Sequence, residues 1–215
     1  MPRVSIITLC HNDEQYLGEC IASVEAQTYR DFEHVIVDCT STVPVRAATL
    51  RLNQYRGISS SRNFGVKQSS GQFIMQLDAD DKIHPQYLEK IMAKACIGRI
   101  VCPQLEEVGG RRGLCGAPAE IDCKFEAFLR CNPIYCCSMY SFSDWEEVGG
   151  YDPALDSLGC EDYELWTALV KSGCKVKVVP EAIFYYRVRA DSFTERLGAK
   201  MNEGRAYVRR KHGTK

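Results

Sequence analysis

Long apolar runs are missing from this sequence. No stretch approaches the roughly 18 consecutive apolar residues that a membrane span requires, so no integral membrane segment is expected. The opening Met1-Pro-Arg-Val-Ser-Ile-Ile7 lacks the apolar core and cleavage site of a secretory leader, and a cytoplasmic location is the expectation that follows. Net charge is nearly absent too, at −1, which excludes the global basic field that nucleic acid or an anionic membrane would call for. The locally basic end from Arg205 to Lys215 reads as a solvated helix terminus more readily than as a phosphate contact. Histidines are few and scattered (His11, His34, His84, His212), and no Cys-x-x-Cys pair occurs. The twelve cysteines therefore do not read as zinc ligands, and without export they are expected to stay reduced. Cys20, Cys102 and Cys174 fall inside apolar patterns, where a thiol packs as a small hydrophobe.

The composition present is that of a globular domain: 215 residues, 45% hydrophobic and 26% charged, with no repeats or linkers. One compact α/β domain is expected. Val4-Ser-Ile-Ile-Thr-Leu9 is a short apolar run of the kind buried in a parallel sheet. Asn12, with Gln15 three residues on, resembles a capping box, and Tyr16, Leu17, Cys20, Ile21 and Val24 then keep helical spacing. His34-Val-Ile-Val37 is the next strand, ending at Asp38, so the order implies parallel pairing through a right-handed crossover. Further along, residues 44–54 read as weakly helical and 59–68 as a helix. Residues 72–77 read as a strand running into Asp78, and Pro85 opens a helix through Ala95. Residues 99–102 form a strand, the glycine-rich 106–118 a hairpin or loop, 122–131 a helix and 138–142 a strand. A helix over 161–171, strands over 175–179 and 183–188, and one charged helix over 192–210 complete the chain.

Three constellations carry chemistry. Asp78-Ala-Asp-Asp81 follows an apolar strand, where ligands bind in open α/β sheets. Carboxylates so crowded repel one another unless a cation or donors compensate, and oxygen ligands suit Mg²⁺ or Mn²⁺. An acidic turn and helix cap explains the same residues. Gly159-Cys-Glu-Asp-Tyr-Glu-Leu-Trp166 places Glu161 and Asp162 in a helix's first turn. The dipole favours anions there, and a general base could equally occupy that position. In Gly57-Ile-Ser-Ser-Ser-Arg-Asn-Phe-Gly65, Arg62 is placed to pair with phosphate or a carboxylate, or to sit on the surface.

Together these features resemble the family 2 glycosyltransferases with the GT-A fold, in order and over nearly the whole chain. The opening Val4–Asn12, Tyr16–Val24 and Gln27–Glu33 resemble the family's nucleotide-binding start. Arg62-Asn63 with Gly65, then Gly71 and Asp78-Ala-Asp-Asp81, match its central stretch ending in the DXD motif. Glu147-Val-Gly-Gly-Tyr-Asp152, Glu161-Asp162 to Trp166, and Tyr186-Arg187 match its acceptor-side motifs. The implied architecture is a single Rossmann-like domain with a mostly parallel central sheet flanked by helices. Residues 1–103 would be its nucleotide-sugar half and 104–215 its acceptor half.

The resemblance implies an inverting, metal-dependent transfer of a hexosyl or deoxyhexosyl group from a nucleotide-diphosphate sugar, with a UDP-sugar as the expected donor. The acceptor would be a hydroxyl of a glycan or glycoconjugate. Asp38, with backbone at Leu9 and Cys10, would face the nucleobase; Arg62 would contact base or diphosphate; Asp78, beside Ala79, would hold ribose or donor. Asp80 would ligate Mn²⁺ or Mg²⁺ bridging the phosphates, and Asp162 would be the base, with Glu161 the second choice. Two departures stand out. Asp38-Cys-Thr-Ser41 replaces the family's Asp-Asp-Gly-Ser, so Cys39 stands where a uracil-reading Asp is common. Tyr186-Arg-Val-Arg189 replaces Tyr-Arg-x-His, leaving Arg189, along with Arg187, to meet diphosphate charge. A sugar nucleotidyltransferase is a poorer fit, because Leu9-Cys-His-Asn-Asp-Glu14 is not a glycine-rich phosphate loop. A non-catalytic sugar-nucleotide-binding domain is the remaining alternative.

Overall fold

The computed structural model describes residues 3–109 and 124–213. Its eight strands are β1 (Val4–Cys10), β2 (Phe32–Asp38), β3 (Leu50–Arg51), β4 (Phe73–Gln76), β5 (Lys82–Ile83), β6 (Arg99–Val108), β7 (Met139–Ser141) and β8 (Lys175–Arg187). They form one sheet in the order β3-β2-β1-β4-β7-β6-β8-β5. The first four in that order pair parallel, β7 is antiparallel to both neighbours, β8 is parallel to β6, and β5 is antiparallel to β8. The helices are α1 (Glu14–Glu25), α2 (Ile58–Gln68), α3 (Tyr87–Met92), α4 (Phe125–Phe128), α5 (Phe142–Glu147), α6 (Glu161–Ser172), α7 (Phe193–Leu197) and α8 (Lys200–Gly213). None is long and apolar enough to cross a membrane, among the described residues.

Alternation along the strands builds a core on each face of the sheet. Ile7, Ile74, Ile100 and Cys102 point to one side, where they meet Val66 of α2 and Leu165, Trp166 and Leu169 of α6. Their neighbours Ile6, Phe73, Met75 and Val101 point to the other, against Cys20 and Val24 of α1 and Tyr87, Leu88 and Ile91 of α3. Burying such a side chain contributes about 1.5–3 kcal/mol, so this double face holds the strand ends, and whatever they carry, in fixed positions. Two approaches need glycine. A Cβ at Gly71 would lie 2.5 Å from Ser5 N, and one at Gly65 would lie 2.6 Å from Ile7 Cγ2. None of the ten described cysteines forms a disulfide, and seven are buried.

Several elements differ from the sequence reading. Asp13, not Asn12, precedes α1, because Asn12 adopts φ 59° and its Oδ1 accepts from Thr42 N instead of capping. Residues 44–54 form no helix: Thr49 N and Leu52 N donate to the carbonyls of Ile36 and Asp38, which draws the segment into the short edge strand β3. Helix α3 stops at Met92, short of Ala95. β6 extends to Val108, because β8 supplies partners as far as Arg187, so the first residues of the expected 106–118 loop are strand. The remainder of that loop, from 110, and the first two residues of the 122–131 helix lie outside the described residues. The two expected strands over 175–188 are one, with a register shift opposite Pro103/Gln104. The 103/104 division between halves therefore falls inside β6. The terminal helix is two, broken at Gly198 with φ 49°.

Candidate active site

The sheet changes direction of growth at β1, which lies between β2 and β4. Ligand clefts in α/β sheets open beyond the strand ends at such a point. A cleft of about 760 Å³ lies there. Its walls include Leu9 near the end of β1 and His11 just after it, Cys39 after β2, Asp78, Ala79 and Asp80 after β4, and Glu161 and Asp162 at the start of α6.

Arg62, on α2, ties the floor together. Its side chain is 2% exposed, with Nη2 3.1 Å from Asp78 Oδ1 and Nη1 3.1 Å from Glu161 Oε1. The first contact is a hydrogen bond, whereas the second is a close ion pair whose N–H is not aligned for one. The guanidinium also lies 5.6 Å from the centre of the Tyr151 ring. Helix α2 reaches this position through its N-terminus. Gly57 there has φ 129°, and Asp156 accepts from Ser60 N at 2.8 Å and from the Ser60 hydroxyl. The surface alternative for Arg62 is thereby ruled out.

The carboxylates around it differ in state. Burial pushes Glu161 up to about 7, against the pull of Arg62 and with Asp162 adding to the rise. Burial likewise raises Asp162, while Arg62, Tyr163 N and Asn132 act in the opposite direction. Asp162 is the more open of the two. Its Oδ2 accepts from Asn132 Nδ2 at 3.1 Å. Asp78 Oδ2 accepts from the Cys136 thiol at 3.6 Å. Asn132 and Cys136 were not singled out from the sequence, since neither belongs to a spaced motif. The stack of His11 on Tyr55, 4.9 Å between ring centres, lines the same cleft and was missed for the same reason.

The Asp80 corner is built by the end of β8. Arg189 is 10% exposed, with Nε 2.9 Å from Asp80 Oδ2 and Nη1 2.8 Å from Asp13 Oδ1. Burial and the neighbouring Asp78 push Asp80 up to about 6, against the pull of Arg189. Asp81 is buried beneath, accepting from Arg187 N at 2.8 Å.

Three expected placements are not found. Asp38 is 1% exposed, and its carboxylate accepts from Ser41 N at 2.8 Å and Val45 N at 3.2 Å. With Arg51 Nε at 3.5 Å as well, it clamps the loop that follows β2 and does not face the cleft. Cys10 is fully buried, its carbonyl occupied by Cys39 N at 2.8 Å. Arg187 turns to the Asp80 carbonyl (2.8 Å) and Glu19 (3.1 Å) beneath the cleft rather than into it. Leu9, Arg62, Asp78, Ala79, Asp80, Glu161, Asp162 and Arg189 do share the cleft.

A Mn²⁺ or Mg²⁺ at Asp80 would have to compete with Arg189 for its ligands. One Asp80 oxygen is paired with Arg189, both Asp78 oxygens have donors, and a guanidinium occupies the ground beside Asp80 that a second cation would need. Among the described residues, no three His, Cys, Asp or Glu side chains gather to hold a metal ion.

The family model described as Glycosyl transferase family 2 matches residues 5–148. An uncharacterized glycosyltransferase of Haemophilus influenzae is 26% identical over 99% of this chain and 74% of its own length. The Escherichia coli protein named UDP-Glc:alpha-D-GlcNAc-diphosphoundecaprenol beta-1,3-glucosyltransferase WfaP is 26% identical over 89% of this chain and 80% of its own length. Among solved structures, S. aureus TarS 1-349 in complex with UDP-GlcNAc superposes with a TM-score of 0.74 at 18% identity. That match covers 97% of this chain and 66% of the other, so the chain spans just under two thirds of TarS 1-349. At that identity, the likeness establishes the GT-A fold alone.

Proposed function

Because the chain belongs to glycosyl transferase family 2, we propose that it moves a sugar from a nucleoside-diphosphate donor to an acceptor hydroxyl with inversion. The observation that carries the reading is the single cleft in which Arg62 bridges Asp78 and Glu161, with Asp162 beside them. Glu161 and Asp78 are committed as counter-ions of a buried guanidinium. Asp162 is more open and is held only by the neutral donors Asn132 Nδ2 and Tyr163 N, with no arginine paired to it, so it is the carboxylate assigned to take the proton.

In the proposed step, Asp162 takes the proton of the acceptor hydroxyl as its oxygen bonds to the anomeric carbon. The bond from that carbon to the diphosphate oxygen breaks, and its electron pair leaves with the nucleoside diphosphate. One displacement inverts the anomeric centre. The diphosphate gains charge as it leaves, and arginine is suited to receive it. No step is routed through a metal.

A UDP-sugar is the proposed donor. TarS structures with UDP and UDP-GlcNAc and the donor in the WfaP name support it. Cys39 argues against a carboxylate reading the base. A glycan or glycoconjugate hydroxyl is the proposed acceptor.

The test is product analysis. Incubation with UDP-, GDP- and dTDP-sugars should release free nucleoside diphosphate, by slow hydrolysis when no acceptor is supplied. Pyrophosphate release would point to a nucleotidyltransferase instead. Binding without any turnover, even with pooled glycan acceptors, would leave a sugar-nucleotide-binding domain.

A further inference from the structure

The segment just after β8 brings a second arginine to the cleft, held on several sides. Arg189 is nine-tenths buried, gripped by Asp13 and Asp80 from two separate loops, and its guanidinium carbon lies 4.9 Å from the centre of the Tyr16 ring. Two carboxylates and a ring face fix the plane of the fork before any ligand arrives, so little side-chain entropy remains to be lost on binding. A flexible surface arginine would have none of these restraints. Nearby Arg187 has its donors turned to Glu19 and the Asp80 carbonyl, so of these two it is Arg189 that lines the cleft.

We propose that Arg189 is the fixed cation that receives the diphosphate of the donor, in the position a divalent metal would otherwise occupy, and that donor binding is metal-independent. The inference rests on the donor reading above and deepens it. Asp80 and Asp13, the two less exposed of the three carboxylates around Arg189, are both engaged by the guanidinium that would have to make way for a metal, and the third, Asp191, lies 3.7 Å from Nε at the solvent edge. Arg62 stands on the other side of Asp78, 2% exposed, with Nε lacking a hydrogen-bond partner. Two guanidinium groups thus flank the Asp78–Asp80 turn, and their positive charge favours a diphosphate there, although the Arg62 nitrogens are already held by Asp78 and Glu161. The second phosphate is the group that Arg189 distinguishes, so the corresponding monophosphate should be nearly indifferent to it.

The experiment is calorimetric titration of the full chain with UDP, GDP, dTDP and ADP, and with the matching monophosphates, in EDTA or in Mn²⁺. For the nucleoside diphosphate that binds, the dissociation constant should agree within about twofold between EDTA and Mn²⁺. Arg189→Ala should weaken diphosphate binding about tenfold or more while moving monophosphate binding less than about twofold. Arg189→His should make the remaining diphosphate affinity depend on Mn²⁺. If Arg189→Ala does not fold, Arg189→His and Arg189→Lys carry the comparison. Chelator weakening wild-type binding tenfold, or Arg189→Ala binding diphosphate as wild type does, overturns the inference and leaves the donor reading standing. Failure of every nucleoside diphosphate to bind overturns both.

Discussion

Arg62 Nη1 lies 3.1 Å from Glu161 Oε1, a contact that joins helix α2 to the first turn of α6 across the cleft floor. Its other terminal nitrogen holds Asp78 at the same distance, so one buried side chain aligns the end of β4 with the start of α6. An uncompensated charge left here would be costly, since removing one partner of a buried pair typically destabilises by about 3–5 kcal/mol. The pairing separates structural carboxylates from the one that remains available.

Asp162→Asn is expected to lower the transfer rate by roughly 10²–10⁴-fold, the usual worth of general-base catalysis, while nucleotide affinity stays near wild type. Steady-state rates alongside calorimetric binding check this. Loss of affinity in proportion to rate would reassign Asp162 to donor binding.

Glu161 makes a pH-dependent contribution to stability. Burial raises it to about 7 from an ordinary 4.5, so between those values the folded protein holds a proton that the unfolded chain has released. Stability from this group is therefore complete below about 4.5, falls as pH rises through the window, and is level above about 7, by a few kcal/mol at most. Glu161→Gln should flatten that part of the profile. Urea unfolding at several pH values compares the two slopes, and parallel profiles would contradict the assignment.

Gly57→Ala strikes the site through its frame. Gly57 has φ 129°, and an added Cβ would fall 2.2 Å from Asp156 Cβ, in the side chain that caps α2. Strain and overpacking predict a loss of about 1–3 kcal/mol or more. Because α2 carries Arg62, nucleotide binding should weaken too. Thermal melts with and without nucleotide measure both, and an unshifted melting temperature would count against the strained turn.

Glu164 holds the C-terminal helix in place. It is 1% exposed, with His212 Nε2 and Lys211 Nζ each 2.7 Å from its Oε1, and Lys211 also reaches Asp152. Glu164→Ala should release α8, at a cost toward the lower part of the about 3–5 kcal/mol typical of a broken buried pair, since Lys211 is partly solvated. Hydrogen exchange should rise first in residues 200–213. Exchange rising uniformly across the whole chain would show instead that α8 unfolds only with everything else.

Much of the framework was legible from residue patterns. The apolar run ending at Leu9, the strand ending before Asp78 and the helix beginning at Glu161 depend on local periodicity and punctuation, and each falls within a residue or two of where it was expected. Elements set by a distant partner were not legible. Residues 44–54 formed no helix, and Leu50–Arg51 became an edge strand because β2 supplied carbonyls. β6 and β8 ran longer than their local patterns because each gave the other partners.

The same division applies to the cleft. The identity and order of Arg62, Asp78, Asp80, Glu161 and Asp162 were determined by the sequence alone, as was the replacement of a family histidine by Arg189. Only tertiary structure decided that Asp38 would clamp a loop, that Arg62 would be buried between two carboxylates, and that Arg189 would reach Asp80. The physical reason is range. Backbone preference acts over a few residues, whereas an ion pair between segments far apart in the chain exists only once the sheet has brought them to the same edge.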